Sequence, residues 1–304
     1  MITIFALPKP FEGHTGVIQS NAIRSWANLK PSCEILLIGD EPGIKEMAGE
    51  IKATHIPHVK RNQWGTPLID DIFNSAHEAA SYPFMCYINS DIILPGNFTT
   101  QISKVSLKEF LCIGRRWNTD IREFIDFQNP DWEMNINEKA HGQGGLFLWS
   151  ALDYFVFPGH LYTEVPPFAV GRPSWDNWMI YHARVRDIPV IDATKSIMAI
   201  HQNHGYSHIG SDERKIAEKN YNIKLTGGTE HFFHAGHATR ILTRKGVKPA
   251  LSPVYLYYRL NSLVVRKKWL KFLYPVIKVI NKSLRFLYYL LLKRYLPPKP
   301  IAEQ

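Results

Sequence analysis

The sequence predicts an α/β fold, a mainly parallel sheet with helices on both faces. Two observations carry this. Short apolar runs bounded by polar turns alternate with segments of helical periodicity from residue 1 to about residue 205. The composition, 45% hydrophobic and 21% charged over 304 residues, is that of a globular chain able to bury a sizeable core.

The elements follow in order. ITIFAL (2–7) is a compact apolar strand ending at Pro8 and Pro10, and Val17, Ala22, Ile23 and Trp26 recur near helical spacing up to Leu29. CEILLIGD (33–40) is a second buried strand, closed by Asp40 and a D-E-P-G turn. A helix around Gly43–Ile51, a short strand at 53–59 and a helix from Pro67 to Ala80 come next. Residues 84–94 read as a strand that breaks at a polar corner and resumes. Residues 115–150, rich in Trp, Asn, Asp and Gly, are less regular, and 144–158 contains another strand. A helix starting at Ser174 and strand material over 188–200 complete the alternation. In such sheets ligands bind beyond the carboxyl ends of the strands. The expected division is a catalytic domain over 1–205, a polar His-rich extension over 206–250 that closes the site and holds a helix near Asp212–Lys219, and a basic tail over 251–304.

Charge and cysteines narrow the setting. The net charge is +9, but residues from 255 onward carry eleven Lys/Arg against Glu303 alone, which leaves −1 for the first 254 residues. The basicity is a property of the tail and says little about an active site. Cys33, Cys86 and Cys112 lie in apolar runs without C-x-x-C spacing and read as small buried hydrophobes, as expected in a reducing compartment. MITIFALPKPF lacks the basic start and length of a signal peptide, so a cytoplasmic location is expected.

Three segments carry chemistry. In Cys86–Leu94 a buried strand delivers Asn89, Ser90 and Asp91 and returns at once to apolar residues. A carboxylate there needs a metal, a cation or hydrogen bonds, unless Asp91 is simply a turn aspartate capping the next element. In Gly171–Arg184, Ser174 is a natural N-cap, with Trp175, Asp176, Asn177 and Trp178 in the first helical turn. Asp176 either complements the helix dipole or, desolvated by two indoles, serves as a general base. The strand material over 188–200 ends in His201-Gln-Asn-His204, and neutral imidazole is a good ligand for Mn2+-type ions.

In this order the segments resemble GT-A glycosyltransferases, with their Rossmann-type nucleotide-sugar domain, and specifically a bacterial group. Asn89-Ser90-Asp91 looks like the D-x-D motif, with Asn in place of the first acid. The resemblance implies that Asp91 and His201 bind Mn2+ or Mg2+ and that Asp176 is the acceptor-side base. It further implies that Asn89, Ser90 and His204 meet the donor, and that Pro8 and Asp40 lie where base and ribose are held. Arg115, the first of two guanidinium groups at a strand end, would neutralise a leaving diphosphate. Asp153 would hold a sugar hydroxyl, and Trp175 would offer a sugar face. The expected activity is transfer of a sugar from a nucleotide-sugar donor to a glycan or glycolipid acceptor in polysaccharide assembly. A nucleotidyltransferase or a non-catalytic sugar-binding scaffold are the alternatives.

In the tail, Lys267, Lys268, Lys271, Lys278, Lys282, Arg285 and Lys293 fall within about 60° of one direction on a helical wheel. Apolar residues fill the rest, and the longest charge-free run, Phe286–Leu292, is far short of a membrane span. Residues 265–296 therefore read as a basic amphipathic helix for an anionic membrane surface, kinked at Pro275, or as a helix packed on the body or a second subunit. Its wide apolar face speaks against nucleic acid.

Overall fold

The computed structural model of the chain describes residues 1–205, 212–273, 275–276 and 279–280. It is an α/β fold whose strands join one large, mostly parallel sheet with helices packed around it. Strand β1 (Ile2–Ala6) leads to α1 (Gly13–Ala27), β2 (Glu34–Ile38), α2 (Ile44–Ile51), β3 (Thr54–Ile56) and α3 (Ile69–Ala79). Then come β4 (Phe84–Ile88), β5 (Ile92–Ile93), α4 (Phe98–Ile102), β6 (Leu111–Thr119), α5 (Trp132–Gln143), β7 (Gly145–Leu146) and β8 (Leu152–Pro158). The described chain closes with α6 (Trp175–Val185), β9 (Val190–Asp192), β10 (Ala199–Gln202), α7 (Asp212–Thr226), β11 (Arg240–Thr243), β12 (Gly246–Pro249) and α8 (Pro253–Arg266).

The strand order is β12-β11-β9-β6-β8-β4-β1-β2-β3, with β10 bridging β5 and β6 and β7 beside β6. β4, β1, β2 and β3 are mutually parallel, as are β6, β9 and β11. β8 lies between β4 and β6 and is antiparallel to both. This inserted strand faces the end of β4 with the start of β8, so residues from two distant stretches meet at one edge.

Successive side chains of a strand point to opposite faces. Ile4 and Ala6 of β1 accordingly join one core layer with Trp26, Leu37 and Cys86, and Phe5 joins the other with Phe73, Tyr87, Phe157 and Trp175. In the second layer Phe73 stacks on Phe157 at 5.7 Å and on Tyr87 at 5.8 Å, and it meets Phe5 edge-on at 5.1 Å. All three cysteines are free, with Cys86 and Cys112 buried.

Several expectations change in detail. The strand material of 188–200 divides into β9 and β10, and 144–158 into β7 and β8. The irregular stretch 115–150 holds the second half of β6 and all of α5. The sheet runs past residue 205, because β11 pairs with β9 and β12 with β11. A nearly polar segment can still extend a sheet edge, where only one strand neighbour and one face need be apolar. In the tail, α8 ends at Arg266 and a 3-10 turn, Lys268–Leu273, follows; residues 275–276 and 279–280 are helical again. Most of 265–296 lies outside the described residues. Among those described, no helix is long and apolar enough to cross a membrane.

Replacing Phe73, which is fully buried, by Ala is expected to lower unfolding free energy by about 3–5 kcal/mol, measured by urea unfolding. A loss under about 1 kcal/mol would show that this aromatic layer does not hold the sheet to α3.

Candidate functional site

The polar corner between β4 and β5 exists because the sheet changes partners there. β4 pairs with β1 and β8, whereas β5 pairs with β10, and Asn89-Ser90-Asp91 spans the change. The Asn89 N–H donates to the Asp153 carbonyl at 2.9 Å and its Nδ2 to Asp153 Oδ1 at 2.7 Å. Pairing of Ile92 with His201 then sets β10 beside Asp91.

Asp91 is held from two sides. His204 Nε2 lies 3.0 Å and His201 Nε2 3.5 Å from its Oδ2. Burial opposes the charge on Asp91, but the hydrogen bonds and positive field of the two imidazoles hold its carboxyl well below the usual carboxylate range. The hydrogen bond to Asp91 raises the His204 pKa, against its partial burial. From beneath, fully buried Gln202 donates its N–H to the Asp91 carbonyl at 3.4 Å and its side-chain amide to the same oxygen at 3.2 Å. That amide also donates to the Ile18 carbonyl at 2.7 Å, and Asn21 donates to Gln202 Oε1 at 3.1 Å. Helix α1 thus fixes the backbone that carries Asp91.

The donor set fits a divalent cation. Asp91, His201 and His204 each offer a ligand atom, all within 4.8 Å of one another. Asp91 Oδ1, His201 Nδ1 and the neighbouring Ser90 Oγ are buried without hydrogen-bond partners. Buried polar atoms are rarely left so, and an oxygen and imidazole nitrogens together suit Mn2+ and related ions. Sequence reasoning gave His204 a donor contact, and the structure places it in the same cluster as Asp91 and His201.

Beside this cluster stands a second carboxylate. Asp153, 5% exposed, receives Arg116 Nη1 at 2.9 and 3.0 Å on its two oxygens, as well as the Asn89 amide. Burial raises its pKa, with Arg116 opposing and Asp91 adding to the rise. Arg115, the neighbour singled out from sequence, points away: its guanidinium donates to the Phe147 carbonyl and lies 4.7 Å over Trp149. Consecutive residues of a strand face opposite sides, so only one of the pair reaches Asp153.

Asp176 opens α6. Burial, reinforced by the charge of Asp153, raises its pKa to about 6 against backbone hydrogen bonds that lower it. Its Oδ1 is buried without a partner. Ser174 is the N-cap residue but makes no side-chain cap bond. It adopts φ 99°, a left-handed conformation costly for a residue with a Cβ, and its Oγ is buried and unpartnered. Trp175 is 7% exposed and packs on Tyr87 at 4.9 Å and Phe155 at 5.4 Å, while Trp178 packs on Phe168 and His182. Both indoles are core residues beneath the site rather than an exposed sugar face.

The remaining sequence candidates lie along the same carboxyl edge. Pro8 is buried after β1, where Gln19 bonds both the N–H and the carbonyl of Lys9, at 2.6 and 2.9 Å. Asp40 follows β2 and is exposed, and Arg61 bridges it to Glu41 at 2.8 and 2.9 Å. A cavity of about 520 Å³ opens against His204, lined also by His14, Asp120, Ile121, Arg122 and Asn203. Sequence reasoning weighed Arg116 only as the second of two guanidinium groups for a diphosphate, and gave Gln202 no role. R-R-W and H-Q-N-H contain them, but only the facing of β6 and β10 tells which side chain points where.

No protein-family model and no curated protein matches the chain. It is similar to several solved structures. Residues 1–349 of Staphylococcus aureus TarS, in complex with UDP-GlcNAc, align over 86% of this chain and 72% of their own, at 10% identity and a TM-score of 0.46. The mannosyltransferase PcManGT from Pyrobaculum calidifontis, in complex with GDP-Man and Mn2+, aligns over 68% and 58%, at 9% identity and 0.44. Glucosyl-3-phosphoglycerate synthase from Mycobacterium tuberculosis, with Mn2+, UDP and phosphoglyceric acid, aligns over 75% and 79%, at 15% identity and 0.44. The chain spans 36% of a longer TarS structure and 59% of another TarS 1–349 structure, less than two thirds of either.

Isothermal titration with Mn2+ is expected to show one site that Asp91→Asn removes. Gln202→Leu, which leaves all three ligands in place, is expected to weaken it by about 10–100-fold. Equal affinity in wild type and Gln202→Leu would mean that α1 does not position Asp91.

Proposed function

We propose that the chain is a metal-dependent glycosyltransferase of the GT-A type that moves a sugar from a nucleoside diphosphate donor to a hydroxyl of a glycan or lipid-linked acceptor. The observation that carries this reading is the meeting of Asp91, His201 and His204 at the carboxyl edge of the sheet, with the desolvated Asp176 within the field of the neighbouring Asp153. Asp176, with a pKa raised by burial to about 6, suits a general base for an acceptor hydroxyl.

Asp91, His201 and His204 would hold Mn2+ or Mg2+, which neutralises charge on the departing diphosphate when bound. Pro8 and Asp40 border the place for the base and ribose, and Ser90 and Asn89 that for the donor's polar groups. Asp153, oriented by Arg116 and Asn89, would meet a sugar hydroxyl. Asp176 takes the proton of the acceptor hydroxyl as that oxygen bonds to the anomeric carbon and the bond to the diphosphate breaks. Attack opposite the leaving group inverts the anomeric centre. Arg115 acts through the 147–149 loop, and Trp175 sets the floor that desolvates Asp176.

The acceptor's setting follows from the tail. Trp269, Phe272, Val276 and Val279 are 73%, 69%, 55% and 67% exposed, among the lysines that begin the basic segment. Such a surface suits an anionic membrane face, with the enzyme peripheral on its cytoplasmic side.

A panel of nucleotide sugars with Mn2+ or Mg2+, read as released nucleoside diphosphate, tests the reaction. Release that needs the metal and fails in Asp91→Ala supports it, and no release or donor binding across the panel contradicts it. The base must be deprotonated to act, so kcat/KM is expected to be flat above pH 6 and to fall about tenfold per unit below it. Asp176→Asn is expected to lower kcat by about 10²–10⁴ and to remove this limb. Because the folded state favours the neutral acid, the same variant is expected to melt higher than wild type at pH 8. An unchanged pH profile in Asp176→Asn would remove Asp176 from the mechanism.

A further inference from the structure

Helix α6 carries a second unusual charge at its other end. Arg184 lies in its last turn, about 12 Å along the axis from Asp176. It is 5% exposed, its Nε is buried without a hydrogen-bond partner, and no ion pair holds its guanidinium among the described residues. A buried cation left this way costs several kcal/mol unless an anion joins it.

Its surroundings add cations. α8 crosses the end of α6, and Arg266 Nε donates to the Arg184 carbonyl at 2.8 Å. Arg259 and Arg266 both repel the Arg184 charge, and with burial they push its pKa down to about 10. The neighbouring acid is Asp187, whose two oxygens are taken by Arg266 and, at 3.0 Å, by Lys267. His237, pressed on Phe233 at 4.2 Å, also faces this field and is kept neutral by burial and by the nearby charges. Four cations thus share one engaged carboxylate where the basic tail leaves the body.

We propose that Arg184, Arg259 and Arg266 form an oxyanion site for a phosphate group, carried by an anionic lipid headgroup or free in solution. Guanidinium groups match phosphate with parallel N–H donors, and they hold it best where water is excluded, as it is at Arg184. The site is separate from the Asp91 cleft and does not depend on the reaction proposed there. A headgroup bound here would orient the body on the membrane; free phosphate would clamp α8 to α6.

Thermal melting of the full chain with and without inorganic phosphate, in wild type and Arg184→Met, tests this. Phosphate is expected to raise the wild-type Tm by about 2 °C or more and to leave Arg184→Met unmoved. In phosphate-free buffer Arg184→Met is expected to melt at or above wild type, since it removes an uncompensated buried charge. Flotation with phosphatidylglycerol–phosphatidylcholine vesicles separates the sources. At least fivefold weaker binding in Arg184→Met, with none to phosphatidylcholine alone in either protein, identifies a lipid headgroup; a phosphate effect on Tm with unchanged flotation identifies free phosphate. Arg259→Gln, at a half-buried position, repeats both measurements should Arg184→Met not fold. No phosphate shift in wild type together with flotation unchanged by either variant overturns the site, as does an Arg184→Met protein that melts lower yet keeps the full phosphate shift.

Discussion

A charged, half-buried carboxylate where a strand changes partners is the constraint around which this carboxyl edge is organised. Water would hold the charge of Asp91; the fold replaces water with His201 and His204, and with Gln202 beneath its backbone. Each of these depends on β10 pairing with β5 on one side and β6 on the other. A one-residue slip of β10 would turn His201 into the core and Gln202 toward Asp91, because alternation admits no intermediate register. The ladder is short, and its specificity comes from buried amides anchored to α1.

The second feature is the antiparallel β8 inside a mostly parallel sheet. It brings Asp153 against Asn89, so a carboxylate on the adjacent strand lies one hydrogen bond from position 89. Arg116 then balances Asp153, while Asp91 and Asp176 each keep an unpartnered buried oxygen, as Asp70 on α3 also does. Such atoms, with the left-handed Ser174 before α6, are a stability cost concentrated at one edge of the sheet. The stacked rings of Phe73, Phe157 and Tyr87 on one face, and the layer around Trp26 on the other, offset that cost.

Much of this was legible in the sequence because buried polar residues are conspicuous in apolar runs. N-S-D, W-D-N-W and H-Q-N-H stand out in this way, and the alternation of elements gives the sheet that gathers them. What was not legible depends on facing and packing. R-R-W does not reveal that Arg115 turns to Trp149 and Arg116 to Asp153, since that follows from where β6 begins. Trp175 beside a carboxylate reads equally as a sugar platform or as core, and contacts with Tyr87 and Phe155 decide for core. β11 and β12 escaped notice because each is only four residues long and shows little apolar alternation at the margin of the sheet.

Pulsed electron paramagnetic resonance of the Mn2+-loaded protein tests most directly whether Asp91, His201 and His204 form a metal centre. Nitrogen couplings from two imidazoles are expected, reduced to one in His201→Ala or His204→Ala and absent in the double variant. Phosphorus couplings are expected to appear when a nucleoside diphosphate is added. Mn2+ signals that carry only water-proton couplings, unchanged in both histidine variants, would contradict the centre and with it the role given to Asp91.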